Sequence, residues 1–166
     1  MSRGLLNMGD AQLLAQLANE RQHVLRAVDG LAEDAMHRVI VPSGWTITRL
    51  LNHLAYDDER FWISAVLSGD VRAIEALHDG WASDPMTGAE AIETYKREIA
   101  RSDEVLRRID FDALPRWRPS ASVFEAPPLP NGREVVFRVL AETSVHAGHL
   151  DIMRELIDGH QNLVVG

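Results

Sequence analysis

The sequence predicts an all-α protein built as a bundle of four long helices. Apolar residues recur at intervals of three and four along four long segments, which is the spacing of one face of a helix. No segment shows a convincing alternation of polar and apolar residues, the pattern typical of a strand. The chain has 166 residues, enough for one hydrophobic core, so we expect a single domain over residues 1–166.

The first two helices are delimited by capping and turn residues. The first is predicted to begin after Asp10, a good N-cap residue, and to end at Gly30. The turn Pro42-Ser-Gly-Trp45 separates it from the second, which is predicted from Thr46 to Gly69. Their apolar faces consist of Leu13, Leu14, Leu17, Val24, Leu25 and Val28 in the first helix, and of Ile47, Leu50, Leu51, Leu54, Phe61, Trp62, Ala65 and Val66 in the second.

The last two helices follow irregular connections. The third is predicted from Thr87 to Ile109, after a stretch rich in Gly, Asp and Pro. Residues 114–132 contain five prolines and are predicted to be loop or extended chain. The fourth helix is predicted from Arg133 to Asp158, and Gly159 ends it. The long connections permit crossovers, so the pattern alone leaves the order of helix directions open.

Composition excludes several classes of function. The formal net charge is −8 without a dense cluster of Lys or Arg along the chain, which argues against a nucleic-acid partner. The chain has no cysteine, so disulfides, thiolate ligands and a protein thiol nucleophile are all excluded. No stretch approaches the roughly 20 apolar residues that a membrane span requires. We therefore expect a cytoplasmic protein without a membrane partner.

The fourth predicted helix carries a carboxylate and two imidazoles on one side. Glu142, His146 and His149 follow one another at intervals of four and three residues. The residues on the same stripe are apolar, so these polar groups are expected to point inward; the stripe contains Val135, Val139, Leu150, Met153, Leu156 and Ile157. A buried carboxylate is costly unless a cation compensates it, which makes a metal site the first hypothesis.

A metal site on this helix needs a ligand from another helix. His53 is the best candidate, because it lies between Leu50 and Leu54 at the edge of the second apolar stripe. Structural interpretations stay open: His53 as a core-edge histidine, and Glu142 as a partner of Arg138. The more weakly placed alternatives are His23, His37, His78 and His160, together with Asp57, either a fourth ligand or part of a solvated face.

With these residues in hand, the chain resembles the DinB-like superfamily of four-helix metalloproteins, and more closely its branch associated with mycothiol-dependent thiol transfer. The resemblance rests on Pro42-Ser-Gly-Trp45-Thr46 followed by Leu50-Leu51-Asn52-His53-Leu54. It rests equally on Glu142-Thr143-Ser144-Val145-His146-Ala147-Gly148-His149-Leu150-Asp151 followed by Arg154-Glu155-Leu156-Ile157-Asp158-Gly159. It implies an up-down-down-up bundle with long crossover connections, and homodimers are common in the superfamily.

The resemblance also implies which residues bind the metal. Its pattern of one His on the second helix and two ligands four apart on the last matches His53, Glu142 and His146. His149 is assigned to the surrounding pocket, where it would contribute to cofactor binding, and it is the main rival to Glu142. Arg154 could face an anionic part of a reactant or form a salt bridge on the helix surface.

Three protein ligands leave a coordination position open, which is typical of a catalytic metal. A divalent ion, with Zn expected and Ni, Fe or Mn as alternatives, would activate an external thiol for attack on a small electrophile. The resemblance implies that this low-molecular-weight thiol is mycothiol. Two other hypotheses remain: a non-haem iron enzyme using the same ligands, and a non-catalytic bundle that binds a metal or small ligand. The substrate is not specified by the sequence.

Overall fold

The computed structural model describes residues 8–84, 86–120 and 128–162. Within these ranges the chain is all-helical, as predicted, and forms no strand. The elements are α1 (Met8–Val28), α2 (Glu33–Met36), α3 (Ile47–His53), a π-helical segment (Leu54–Leu67), α4 (Val71–Glu75), α5 (Gly88–Leu106) and α6 (Gly132–Asp158).

The prediction of four helices is incomplete. The π segment continues α3 without a break, and six helical segments therefore lie within the described ranges. The four long predicted segments are all helical, and α2 and α4 are additional. Both are too short to show a helical period in the sequence. The second of them begins at the capping residue Asp70, whose carboxylate accepts hydrogen bonds from the amides of Arg72 and Ala73.

Capping residues mark where two of the long helices begin or end. Thr87 and Glu90 form a reciprocal capping box at the start of α5, and Gly159 ends α6 with a φ of 77°. Asp10 was expected as the N-cap of the first helix, and this expectation is wrong. The helix begins at Met8, and Asp10 is buried within it because its carboxylate accepts a hydrogen bond from Arg133 at 3.0 Å.

Contacts between side chains define how the long helices run. Asp10 and Arg133 join the beginnings of α1 and α6, while His23 and Asp151, 2.8 Å apart, lie towards their ends. These two helices therefore run in the same direction. His53 contacts the second half of α6, whereas Leu67 packs against Gly132 at its start. The rod formed by α3 and the π segment therefore runs opposite to α6.

The interior contains two apolar clusters with buried ion pairs among the helices. One cluster includes Leu54, Ala147 and Leu150 and lies beside the histidines. Leu156 was expected to face inward with them, but 61% of its surface is exposed, because it lies on the outer side of α6, whereas the adjacent Ile157 packs against this cluster. Within the described ranges, no helix has both the length and the apolar character needed to cross a membrane.

The buried charges are compensated in pairs. Arg21 of α1 donates hydrogen bonds from Nε and Nη2 to the two Glu59 oxygens at 2.7 and 2.6 Å. Arg60 donates in the same way to Glu98 of α5, at 3.3 and 2.8 Å. Since an uncompensated buried charge is strongly destabilising, these pairs constrain how the π segment packs against its neighbours.

Candidate metal centre

His53, Glu142 and His146 come together between α3 and α6. Each offers one potential ligand atom, and these atoms all lie within 4.8 Å of one another. His146 is buried, while His53 and Glu142 are half-buried, so the group is partly exposed rather than enclosed in the core. The structure thus brings together the three residues that the resemblance implied as ligands.

The orientation of His53 is set by Asp57 on the π segment. The Nδ1 atom of His53 and a carboxylate oxygen of Asp57 are 2.7 Å apart. Because a carboxylate accepts, Nδ1 carries the proton and Nε2 is left with its lone pair, the arrangement found behind many metal-binding histidines. The Asp57 carboxylate also accepts the amide of Gly80 at 3.0 and 3.2 Å. Asp57 is therefore neither a solvated surface group nor a member of the ligand cluster.

Each ring nitrogen of His146 lies near another polar side chain of α6. Its Nε2 lies 3.7 Å from a Glu142 oxygen, and its Nδ1 lies 3.3 Å from Nδ1 of His149. Burial lowers the pKa of His146 to about 4, with further contributions from the nearby His53 and His149. A neutral imidazole, the form that coordinates metals, is favoured at this position.

His149 lies beside the ligand cluster and outside it. It contacts Nδ1 of His146, whereas Glu142 lies near the other ring nitrogen of His146, Nε2. Its ring also packs edge-on against Trp45, with 5.4 Å between centroids. Arg138 is a second neighbour of Glu142, at 3.8 Å. The pairing of these two residues, considered from the sequence, is therefore present while Glu142 also belongs to the cluster.

Two tryptophans cover one side of the cluster. Trp45 and Trp81 stack with 4.7 Å between ring centroids, and Trp81 stacks on the imidazole of His53 at 4.3 Å. Both tryptophans are half-buried. Trp45 was expected as core or pocket wall, while Trp81 was not identified from the sequence. The one sequence feature that could have indicated Trp81 is that no other Phe, Tyr or Trp occurs in the connection between α4 and α5.

Gly80 explains how Trp81 reaches His53. A Cβ atom at this position would lie 2.5 Å from the carbonyl oxygen of Asn52, far inside van der Waals contact. The connection before α5 therefore approaches the end of α3 more closely than any other residue type allows. Asn52 reinforces the contact by donating a hydrogen bond to Ser83 at 2.8 Å. The glycine and these hydrogen bonds place the indole on the cluster.

Asp58 is a second acidic residue that sequence reasoning did not connect with the site. One of its carboxylate oxygens lies 3.9 Å from Nε2 of His53 and has no hydrogen-bond partner among the described residues. Burial raises the pKa of this carboxyl well above its usual range, with Glu142 as the next cause. Its spacing of five from His53 corresponds to one turn of a π helix, a geometry with no signature in the sequence.

The other candidates from the sequence make structural contacts. Arg154 donates to Asp158 at 2.8 Å and to the carbonyl of Asp29 at 2.7 Å, tying α6 to the end of α1. Arg154 therefore forms the helix-surface salt bridge considered from the sequence and does not lie at the ligand cluster. Outside the cluster, His23 bonds to Asp151, His37 bonds to Glu33, and His78 packs against Tyr56.

Comparison with known protein families identifies the family of this chain. The family model described as mycothiol-S-transferase matches residues 12–159, which includes all three clustered residues. No curated protein matches the chain. The resemblance inferred from the two sequence motifs is confirmed by the family match. The chain belongs to the mycothiol-S-transferase family, within the DinB-like superfamily.

Proposed function

We propose that the protein is a divalent-metal-dependent thiol transferase, in which the metal activates an external low-molecular-weight thiol for attack on an electrophilic small molecule. The convergence of His53, Glu142 and His146 carries this proposal. Two imidazoles and a carboxylate are a sufficient set of ligands for Zn²⁺, and they leave a coordination position open. The family match supports mycothiol as the thiol.

The donor set fits a metal on physical grounds. His53 presents Nε2 because Asp57 engages its other nitrogen, and the lowered pKa of His146 favours its neutral form. Glu142 supplies a negative charge that favours the binding of a divalent cation. A bound divalent ion contributes an electrophilic centre that lowers the pKa of a thiol. We propose these three residues as the ligands, with Zn preferred and Ni, Fe or Mn as alternatives.

The side chains around the ligand cluster are suited to hold the reactants. The chain contains no cysteine, so the sulfur nucleophile must come from a diffusible thiol. Trp45 and Trp81 offer a flat apolar surface beside the ligands, and His149 adds a polar group at the same edge. We propose that His149 contacts the bound thiol while the indoles exclude water from the electrophile.

We also propose that the long helices form one domain with up-down-down-up order. Support comes from the common direction of α1 and α6 and the opposite direction of the α3 and π rod. A homodimer stays a prediction from the superfamily.

The ligand set also favours a second candidate, a non-haem iron enzyme. Two His and one carboxylate can hold Fe²⁺ with open positions for other ligands. Metal analysis of native protein prepared without oxygen separates the two candidates. Iron that supports oxygen consumption would favour the second, whereas zinc would favour thiol transfer.

Metal analysis of the His53→Ala variant tests the proposed site. Elemental analysis should find one divalent ion per chain in protein purified without an affinity tag, and the variant should lose it while retaining its helical circular dichroism. Unchanged metal content together with unchanged thermal stability would contradict the metal assignment.

A further inference from the structure

A second cleft lies between the π segment, α4 and α5, away from the metal centre. Its volume is about 770 Å³, and none of its lining residues belongs to the ligand cluster or the tryptophan wall. Ligand pockets for small molecules commonly measure roughly 300–1,000 Å³. Five arginines from four parts of the chain line it: Arg60, Arg72, Arg101, Arg108 and Arg116.

Three acidic residues also line the cleft: Glu98 and Asp70, which have partners, and the exposed Glu104. Glu98 is fully buried, and it accepts hydrogen bonds from Arg60 at 2.8 Å and from Arg101 at 2.9 Å. Asp70 caps α4 through two amide hydrogen bonds. These contacts account for two of the five guanidinium groups and leave the other three to be explained.

Arg72, Arg108 and Arg116 are exposed, and their guanidinium groups form no ion pair or hydrogen bond within the described part of the chain. Like charges gathered around one recess repel one another, and an anion in the recess relieves that repulsion. The concentration is unusual for a chain whose formal net charge is −8. An anionic ligand is therefore complementary to this cleft.

The backbone that carries Arg116 is fixed against the end of the π segment. The amide of Arg116 donates to the carbonyl of Leu67 at 3.4 Å, and that of Trp117 donates to Val66 at 3.1 Å. A Cβ atom at Gly69, whose φ is 67°, would lie 3.1 Å from the Arg116 Cβ. The close packing fixes the backbone of Arg116 beside the cleft.

A buried hydroxyl group of one lining residue lacks a partner. Ser64 lines the cleft and is 4% exposed, and its Oγ has no hydrogen-bond partner among the described residues. A buried hydroxyl without a partner is costly in a folded protein.

We propose that this cleft is a second binding site, specific for a small soluble polyanion that carries at least two phosphate or carboxylate groups. Arg72, Arg108 and Arg116 are the residues available to bind it, because a guanidinium group can donate two parallel hydrogen bonds to either kind of group. The site is independent of the metal and of the thiol chemistry.

Calorimetric titration with pyrophosphate and with citrate, at constant ionic strength, tests this site. One of the two anions should bind with a stoichiometry of one per chain, and the one that binds identifies the anionic group. The substitutions Arg108→Ala and Arg116→Ala should each weaken binding by about tenfold or more, as expected for loss of a charged hydrogen bond. Arg107→Ala is the matched control, since Arg107 is exposed and adjacent but lies outside the cleft.

Two results would overturn the proposal. One is the absence of binding by either anion to the wild-type protein. The other is a loss of affinity in Arg107→Ala as large as that in Arg108→Ala. This result would show that the anion is attracted to positive charge in general and not to the cleft. The metal content should be unchanged in all three variants. Failure of the anion site is therefore distinguishable from failure of the metal assignment.

Discussion

The hydrogen bond between His53 and Asp57, 2.7 Å long, connects the candidate metal centre to the chain segment that covers it. The same carboxylate accepts the amide of Gly80, so one acidic side chain orients the imidazole and anchors the connection before α5. The position of Trp81 and the orientation of His53 therefore depend on each other.

Replacing Asp57 with Asn should weaken metal binding without removing a ligand. The amide is a poorer acceptor for the Nδ1 proton, and loss of such outer contacts typically lowers metal affinity by roughly 10- to 100-fold. Competition with a chelator measures the change. Asp29→Asn, at an exposed position, is the control with the same change of charge. Equal affinities in both variants would argue against the orienting role of Asp57.

Glycine substitutions at two positions should change stability in opposite directions. Gly80→Ala should lower the free energy of unfolding by about 1–3 kcal/mol, because the new methyl group collides with the Asn52 carbonyl. Gly148→Ala should raise it by up to about 1 kcal/mol, since it removes a glycine from the interior of α6 where no atom lies within 4 Å. Urea unfolding measures both, and a stable Gly80→Ala protein would refute the close approach.

The choice between Glu142 and His149 as third ligand predicts a difference between two variants. Glu142→Gln should lower metal affinity by more than about 100-fold, beyond the range seen for outer contacts. His149→Ala should retain the metal and should raise the KM for the thiol instead. Metal analysis and steady-state kinetics on both proteins distinguish these effects. Loss of the metal in His149→Ala, with retention in Glu142→Gln, would reverse the assignment.

Glu33 should make stability depend on pH in the acid range. Its carboxylate accepts the amide of Gly88 at the start of α5 and contacts His37, and the amide hydrogen bond is the main reason that its pKa is lowered. Because the pKa of Glu33 is lower in the folded state, its ionised carboxylate stabilises the protein at pH values above the unfolded-state pKa of 4.5. This contribution is lost as the pH falls through the folded pKa.

The Glu33→Gln substitution should therefore reduce the thermal midpoint at pH 7, and this deficit should shrink as the pH falls below 4.5. Asp34→Asn changes the neighbouring exposed carboxylate, whose pairing with Arg38 stays within one helical turn, and serves as control. A Glu33→Gln deficit that is as large at pH 3 as at pH 7 would show that charge plays no part.

The sequence predicts the ligand cluster better than its surroundings. Helical periodicity places Glu142 and His146 on one face of α6 and His53 at the edge of another, because three or four residues make one helical turn. Asp58 escapes this reasoning, since it lies in the π segment, where the period changes. Trp81 reaches the cluster through a connection without a repeating pattern, and its approach depends on a tertiary contact at Gly80.

The arginine cleft shows the same limitation on a larger scale. Its basic residues are dispersed along the chain, so the sequence shows no dense cluster, and folding brings them together from the π segment, α4, α5 and the chain after α5. The number of helices was also underestimated, because α2 and α4 are each shorter than two turns. Long-range packing determines features that local patterns do not encode.

X-ray absorption at the metal edge, on untagged protein with and without mycothiol, tests the central claim most directly. Thiol transfer at this centre predicts nitrogen and oxygen neighbours alone in the free protein, since the chain has no cysteine. A metal–sulfur distance of about 2.3 Å should appear on addition of the thiol if the metal is zinc. A spectrum that stays free of sulfur at saturating thiol would contradict the proposed function.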